Sequence, residues 1–391
     1  MRTRARLGML AAGCAVTALL AVTGGGTALA DPPPGVAPRV TDLVGAGAGP
    51  TSSLYDQLAS DYDAQAAGRP RLYSWDAVNP ATGEAGDRIV TKAGCPALPR
   101  PDGTAAGIAA LTRNEPDPAA AGAYCLDYAR SYRARDASDP PLAPGGVAFV
   151  DLATDAVTYA TRDAASGGSD APPNLSLARL RAIYQCTVTN WKQAGGLAAP
   201  IHAFLPAAPS DVRSFFLTVL GAGGTPLVPG SCVSDLGGTL AENEGVNQAL
   251  NDPDAIVPYS VAAYLAQVYH SAACSVAGCP GNPVCRPDAA QNEFGCDTHG
   301  VLGLNEINSS APVTPWPAPA GPCPQCQINP GFSKPFRHFI YTVVRYDAAT
   351  SDHIPPALRT VFGHGGWVCT SATAAGDVHE YGFLRDCGMS H

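Results

Sequence analysis

Residues 40–55 read VTDLVGAGAGPTSSLY: an apolar run, a glycine-rich turn, then Leu54, Leu58 and Tyr62 at helical spacing. The spacing predicts a strand over Val40–Val44 and a helix after Thr51-Ser52-Ser53. Glycines in such a turn let backbone N–H groups approach a ligand, and the helix start adds unpaired donors and partial positive charge. The same alternation runs on to about residue 270. Strands are expected at Gly146–Leu152, Val157–Thr161, Ile201–Leu205 and Phe339–Tyr346. Leu177, Leu180 and Tyr184 repeat at helical spacing after Asn174 and Ser176. Val212, Phe215, Phe216, Val219 and Leu220 form the cleanest apolar stripe, with Ser210 as its natural N-cap. A further helical stretch is expected near Pro356–Phe362. Strands alternating with helices define an α/β protein.

Two more junctions have the same character. RPDGTAAGIAAL, Arg100 to Leu111, places Thr104 to cap a helix, and LPAAPSDVRSFFL, Leu205 to Leu217, places Ser210 at a helix start. A fourth segment, DYARSYR at Asp127 to Arg133, puts Arg130 and Ser131 on a loop after a short strand.

The ends of the chain point to export. Arg2, Arg4 and Arg6 precede an apolar run from Leu7 to Val22, and Ala28-Leu29-Ala30 is a small-x-small cleavage site. Residues 1–30 read as a secretory signal peptide cut after Ala30, and the run is too short for the roughly 20 residues that span a bilayer. Residues 31–39 form a Pro-rich leader. The mature chain then has 21 basic against 33 acidic residues, a net charge of −12. Such a balance argues against nucleic acid or an anionic membrane as a partner, since either needs a basic surface. No second apolar stretch approaches membrane length, so no membrane insertion is expected after cleavage. A secreted monomer is expected.

Cleavage also removes Cys14 and leaves twelve of the 13 cysteines, an even number suited to disulfides in an oxidising compartment. Cys95, Cys125, Cys186 and Cys232 lie among the regular elements, and Cys369 and Cys387 flank the tail, where they could pair. Cys274, Cys279, Cys285, Cys296, Cys323 and Cys326 crowd into residues 270–330 without hydrophobic period, which reads as a disulfide-stapled insertion. Cys323 and Cys326 have metal-ligand spacing, but no histidine stands at a matching interval, so no metal is assigned. His364-Gly365-Gly366-Trp367 is similar to an esterase oxyanion loop, yet the chain has no G-x-S-x-G turn. No catalytic residue and no cofactor are assigned. The acid pairs Asp61/Asp63 and Glu242/Glu244 are expected on the solvated surface, and Trp75 and Trp191 in the core.

Taken in order, the four junction segments resemble the periplasmic phosphate-binding proteins of ABC importers, of the exported actinobacterial type. Asn174–Trp191 (NLSLARLRAIYQCTVTNW) is similar to that family's helix and closing tryptophan, Ile256–Tyr264 (IVPYSVAAY) to a strand-to-helix step, and Phe339–Arg345 (FIYTVVR) to its returning strand. The resemblance runs from about Val40 to Tyr264 and from about Phe336 to Gly388. It implies a two-lobe type II periplasmic-binding-protein fold, with residues 40–145 and 337–391 in lobe 1 and 146–336, insertion included, in lobe 2. It also implies a solute-binding protein rather than an enzyme, holding a small oxyanion (phosphate) or another small polar ligand in the cleft and served by an ABC-transporter permease.

The residues implied in ligand binding are Gly49, Thr51, Ser52, Thr104, Arg130, Ser131, Ser210 and Arg213. Several depart from the family pattern. Gly49 and Pro50 stand where a hydroxyl and an aromatic are expected, Tyr132 where a carboxylate takes the proton of hydrogen phosphate, and Pro206 where an arginine is expected. The GSGT-type turn has become Pro209-Ser210-Asp211-Val212. A buried anion needs a compensating cation, which leaves Arg213 or Arg130 to supply it. Two other readings follow from these departures: an extracellular interaction module that takes no small ligand, and a secreted hydrolase on the same scaffold.

Overall fold

The computed structural model describes residues 31–32, 36–65, 68–79, 85–113, 115–276, 299–315 and 326–391. The signal sequence and most of the cysteine-rich insertion lie outside the described residues. Ten strands form one mixed sheet: β1 (Leu43–Gly47), β2 (Leu72–Trp75), β3 (Tyr128–Ser131), β4 (Val147–Arg162), β5 (His202–Phe204), β6 (Val233–Ser234), β7 (Ala255–Ser260), β8 (Leu302–Leu304), β9 (Arg337–Arg345) and β10 (Leu384–Arg385). The order is β2-β1-β3-β9-β4-β7-β5-β6, with β8 and β10 also on β4.

Each end of the sheet is parallel. At one end β1 pairs with β2 (Leu43 opposite Leu72) and with β3 (Gly45 opposite Tyr128). At the other, β5 pairs with β7 (His202 opposite Ala255) and with β6. The middle is antiparallel: β9 runs against β3 and β4, and β4 against β7. Parallel pairs need crossovers, and the helices supply them. They are α1 (Ser52–Gln65), α2 (Thr104–Thr112), α3 (Leu177–Tyr184), the single turn α4 (Trp191–Ala194), α5 (Asp211–Leu220) and α6 (Val261–Val276). The chain returns through β9 to α7 (Pro356–Phe362), α8 (Trp367–Thr370) and α9 (Ala372–Glu380).

The apolar stripes read from the sequence face inward. Leu54, Leu58 and Tyr62 of α1 and Val212, Phe216 and Leu220 of α5 are buried in the main core. Ser176 and Ser210 cap α3 and α5, accepting the N–H groups of Arg179 and Arg213. Trp191 is fully buried and its indole N–H reaches Asp254 O, whereas Trp75 is half-buried beneath the Arg100 guanidinium.

Some boundaries differ from expectation, each for a local reason. The first strand starts later, at Leu43, because Asp42 closes a turn by accepting the N–H groups of Arg39 and Arg71. The two strands expected over 146–161 are one strand of 16 residues. Asp155 interrupts its apolar pattern, yet its carboxylate accepts four hydrogen bonds and is buried without a break in the strand. Arg130 and Ser131 belong to β3 rather than to a loop. Gly103, not Thr104, is the N-cap of α2.

Three disulfides join Cys95–Cys125, Cys186–Cys232 and Cys369–Cys387, the last tying the tail as the sequence allowed. Cys326 is disulfide-bonded as well. Cys279, Cys285, Cys296 and Cys323, and the side chain of Cys274, fall outside the described residues. Asp31, the first described residue, is buried with its carboxylate on Arg100 at 2.9 Å. Among the described residues no helix is long and apolar enough to cross a membrane.

Candidate functional site

The four junction segments converge where α1, α2 and α5 begin. The glycines of the first junction serve close packing rather than an open cradle. A Cβ on Gly45 would strike the Tyr128 ring, and one on Gly47, at φ +137°, would meet Arg130 O at 2.6 Å. Gly49, Pro50 and Thr51 form a short 3-10 turn into α1, and buried Thr51 donates its hydroxyl to Ala48 O. Buried Ser52 turns its hydroxyl oxygen toward Arg130.

Arg130 is fully buried on β3. Its Nε donates to Ala48 O at 3.1 Å, one terminal nitrogen to Gly47 O and to Ser52 Oγ, and the other to Trp75 O and to Ser74 Oγ. A guanidinium has five N–H donors. All five are used, holding β1, β2 and the start of α1 around one cation. Its neighbour Ser131 donates to Arg133 O at 2.7 Å in the turn that follows. Arg213 is engaged too, with Pro206 O at 2.8 Å and Asp235 at 3.1 Å.

The starts of α2 and α5 face one another and are closed by carboxylates of the chain itself. Asp211, the first residue of α5, accepts the Thr104 N–H of α2 at 3.1 and 3.3 Å. Thr104 Oγ1 in turn accepts the Tyr132 N–H at 2.8 Å. The N-cap of α2, Gly103, has φ +85°, and a Cβ there would lie 3.3 Å from Pro209 O, so a larger residue would force the two segments apart. At α5, Glu242 accepts the Ser210 hydroxyl at 2.6 Å and the Val212 N–H at 3.2 Å. Glu242 is therefore half-buried at a helix start, not on the solvated surface where its sequence spacing placed it.

These acids perturb one another. Burial and then the charge of Asp211 push the Glu242 carboxyl up to about 8. Burial pushes Asp211 up to about 6 against its Thr104 bonds, with Asp102 adding repulsion. Asp102 is raised by burial as well. Burial and mutual repulsion thus raise both carboxyls, Glu242 the more strongly. The basic group facing Asp211 is Arg133, itself paired to Asp139 at 2.5 Å and Asp136 at 3.1 Å.

Beside this pair a polar bridge crosses the sheet. Tyr132 OH donates to Asp155 at 2.6 Å, and Asp155 also accepts Ser260 Oγ at 2.6 Å and the Ala262 N–H at the start of α6. His338 packs between Tyr132 and Phe215, with ring centroids 4.4 and 3.9 Å apart. Burial pushes its imidazole down to about 3, so it is neutral.

The structure thus gathers Thr51, Ser52 and Arg130 in one network and Thr104, Ser210 and Arg213 near another, with Ser131 and Tyr132 between. Asp211, Glu242 and Asp102 were not among the residues read from sequence as ligand contacts. Asp211 carried a signal as an acid directly after the N-cap, but Glu242 lies 32 residues from Ser210 and had none. His364 and Gly365 are exposed in the turn between α7 and α8.

A family model described as the PBP superfamily domain matches residues 32–276. Among solved structures, an ABC-type phosphate transport receptor from Vibrio cholerae is similar at 15% identity and a TM-score of 0.51, covering 88% of this chain and 100% of that one. A putative phosphate ABC transporter substrate-binding protein from Clostridium perfringens, with bound phosphate, is similar at 11% identity and a TM-score of 0.50, covering 88% and 99%. A comparison with curated proteins gives no match. At these identities the two structures establish the shared fold.

Proposed function

The chain belongs to the PBP superfamily, and on that premise we propose that it is a secreted solute-binding protein whose cleft takes a small polar solute other than the phosphate dianion. The observation that carries this is the Asp211 carboxylate on the Thr104 N–H at 3.1 Å. A helix N-terminus is a ready anion site. Here the Thr104 N–H at the start of α2 is held by Asp211 and the Val212 N–H at the start of α5 by Glu242, so an oxyanion meets occupied donors and like charge. A neutral or cationic solute meets acceptors instead, at Asp102, Asp211 and Glu242.

In this reading residues 40–145 with 337–391, and 146–336, are two lobes that close on the solute, with β4 and β9 running between them. Arg130 and Arg213 act as organisers of the cleft walls rather than as ligand cations, and Gly49, Thr51, Ser52, Thr104, Ser131 and Ser210 shape them. Export after Ala30 and service to a permease belong to the same proposal. A second reading, an extracellular interaction module, is favoured by the completeness of the self-made contacts, since Arg130 alone spends all five donors inside the wall.

Thermal unfolding of the mature chain against phosphate, sulfate and panels of neutral and amine-bearing solutes separates these. Ligand binding to the native state raises Tm by mass action. We expect no shift with phosphate and a shift with a neutral or cationic solute. Micromolar phosphate binding would overturn the proposal, and silence across all panels would favour the interaction module.

A further inference from the structure

A second cluster of side chains lies at the other end of the strands that lead into α5 and α6. His202 opens β5, and the Asp252-Pro253-Asp254 segment leads into β7, the parallel neighbour that places His202 opposite Ala255. Backbone bonds fix the two together: His202 N–H donates to Asp254 O at 3.0 Å, Asp170 N–H to Pro253 O at 2.9 Å, and Trp191 Nε1 to Asp254 O at 3.2 Å. On this frame His202, Asp252 and Asp254 each offer one ligand atom, all within 4.8 Å of one another.

That spacing is close to what a single ion requires. Zinc-type ions hold nitrogen and oxygen at about 2.0–2.2 Å in a tetrahedral shell, so neighbouring donors stand about 3.4 Å apart. Side-chain movement of up to about 1.4 Å brings the set to that spacing. The charges are also arranged as a cation would have them. Asp254 Oδ1 is enclosed and accepts no hydrogen bond from the described residues. Asp170 contacts the Asp254 carboxyl and Asp252 lies beside it. Asp252 accepts the Asp254 N–H at 2.9 Å and pairs with His202 Nδ1 at 2.6 Å. Arg162 contributes a weaker positive charge. Three acids therefore meet around one imidazole, with their repulsion only partly offset.

We propose that His202, Asp252 and Asp254 bind one first-row divalent cation of the zinc or manganese class, with Asp170 behind Asp254. A mixed imidazole and carboxylate set suits those ions. The site is independent of the cleft, from which it is separated by the length of β5 and β7.

The test is isothermal titration of the EDTA-treated mature chain, made without a histidine tag, with ZnCl2 and with MnCl2. We expect one site with a Kd on the order of 10 μM for at least one of the two ions. His202→Ala and Asp252→Asn should each weaken it by about tenfold or more. Glu115→Gln, at an exposed acid outside both groups, should leave the titration unchanged. Absence of binding by the wild type below about 1 mM of either ion would overturn the proposal. So would wild-type affinity in both His202→Ala and Asp252→Asn. Circular dichroism in EDTA checks that each variant is folded.

Discussion

The contact between Asp211 and Thr104 makes a quantitative prediction about phosphate. For an oxyanion to take the Thr104 N–H, Asp211 must give up a bond of 3.1 Å between a carboxylate and an amide. Hydrogen bonds to charged groups contribute roughly 1.5–3 kcal/mol. An ionised carboxylate left about 4 Å from the incoming charge adds about 4 kcal/mol at an effective dielectric constant near 20. Even if Asp211 swings outward and relieves most of the repulsion, about 3 kcal/mol remains, which is roughly a hundredfold in affinity. Removing the barrier requires both acids, because Glu242 holds the neighbouring donors of α5. The double variant Asp211→Ser with Glu242→Gln should therefore bind phosphate at least about 100-fold more tightly than the wild type. Titration calorimetry near pH 7.5 reads it directly, with sulfate as the comparison anion. Equal phosphate affinity in wild type and a folded double variant would refute the reasoning, whether both bind or neither does.

Two further outcomes follow from the buried charges. Glu242 and Asp377 are both raised to about 8, Glu242 by burial and Asp211, Asp377 by burial and then Asp61; Asp211 is raised to about 6. A raised carboxyl contributes stability that is complete below its unfolded value and is lost as pH climbs through its folded value. Each raised carboxyl contributes about 1.4 kcal/mol per pH unit, so unfolding free energy should fall by up to about 2.7 kcal/mol per pH unit between about pH 6.5 and 8, above the range in which neutral His338 works in the opposite direction. Urea titrations across that range should show this, with a shallower slope in Glu242→Gln, and a slope of opposite sign would be decisive against it. Replacing Arg130 with Met strands the carbonyls of Gly47, Ala48 and Trp75 around an apolar side chain. A loss of about 3–5 kcal/mol is expected, and a urea midpoint near that of the wild type would show that Arg130 does not hold the wall together.

Much of this protein was legible in local pattern. Helical spacing at Leu54, Leu58 and Tyr62 and the capping serines at 176 and 210 marked helices that formed where expected. Their cause is local: side chains three and four apart share a face, and a cap needs only the next turn's amides. The tail disulfide was open to reading for the same reason, since only the short segment between Cys369 and Cys387 separates the two cysteines. The single long strand through Asp155 was not legible. Its carboxylate is tolerated because Tyr132, Ser260 and Ala262, all from other elements, satisfy it.

The sequence by itself determined an α/β chain with three glycine- or serine-bearing junctions in family order, because periodicity and turn chemistry act over a few residues. Only the tertiary structure decided what fills those junctions. Asp211 meets Thr104 across 107 residues of chain, Glu242 meets Ser210 across 32, and His202 meets Asp252 across 50. The last two pairs are brought together by parallel strands whose crossovers deliver distant residues to one sheet end, whereas Asp211 and Thr104 come from the two opposite parallel ends and meet through the antiparallel middle of the sheet. Burial at those ends then sets the charge state, and neither the meeting nor its electrostatics is written in any local pattern.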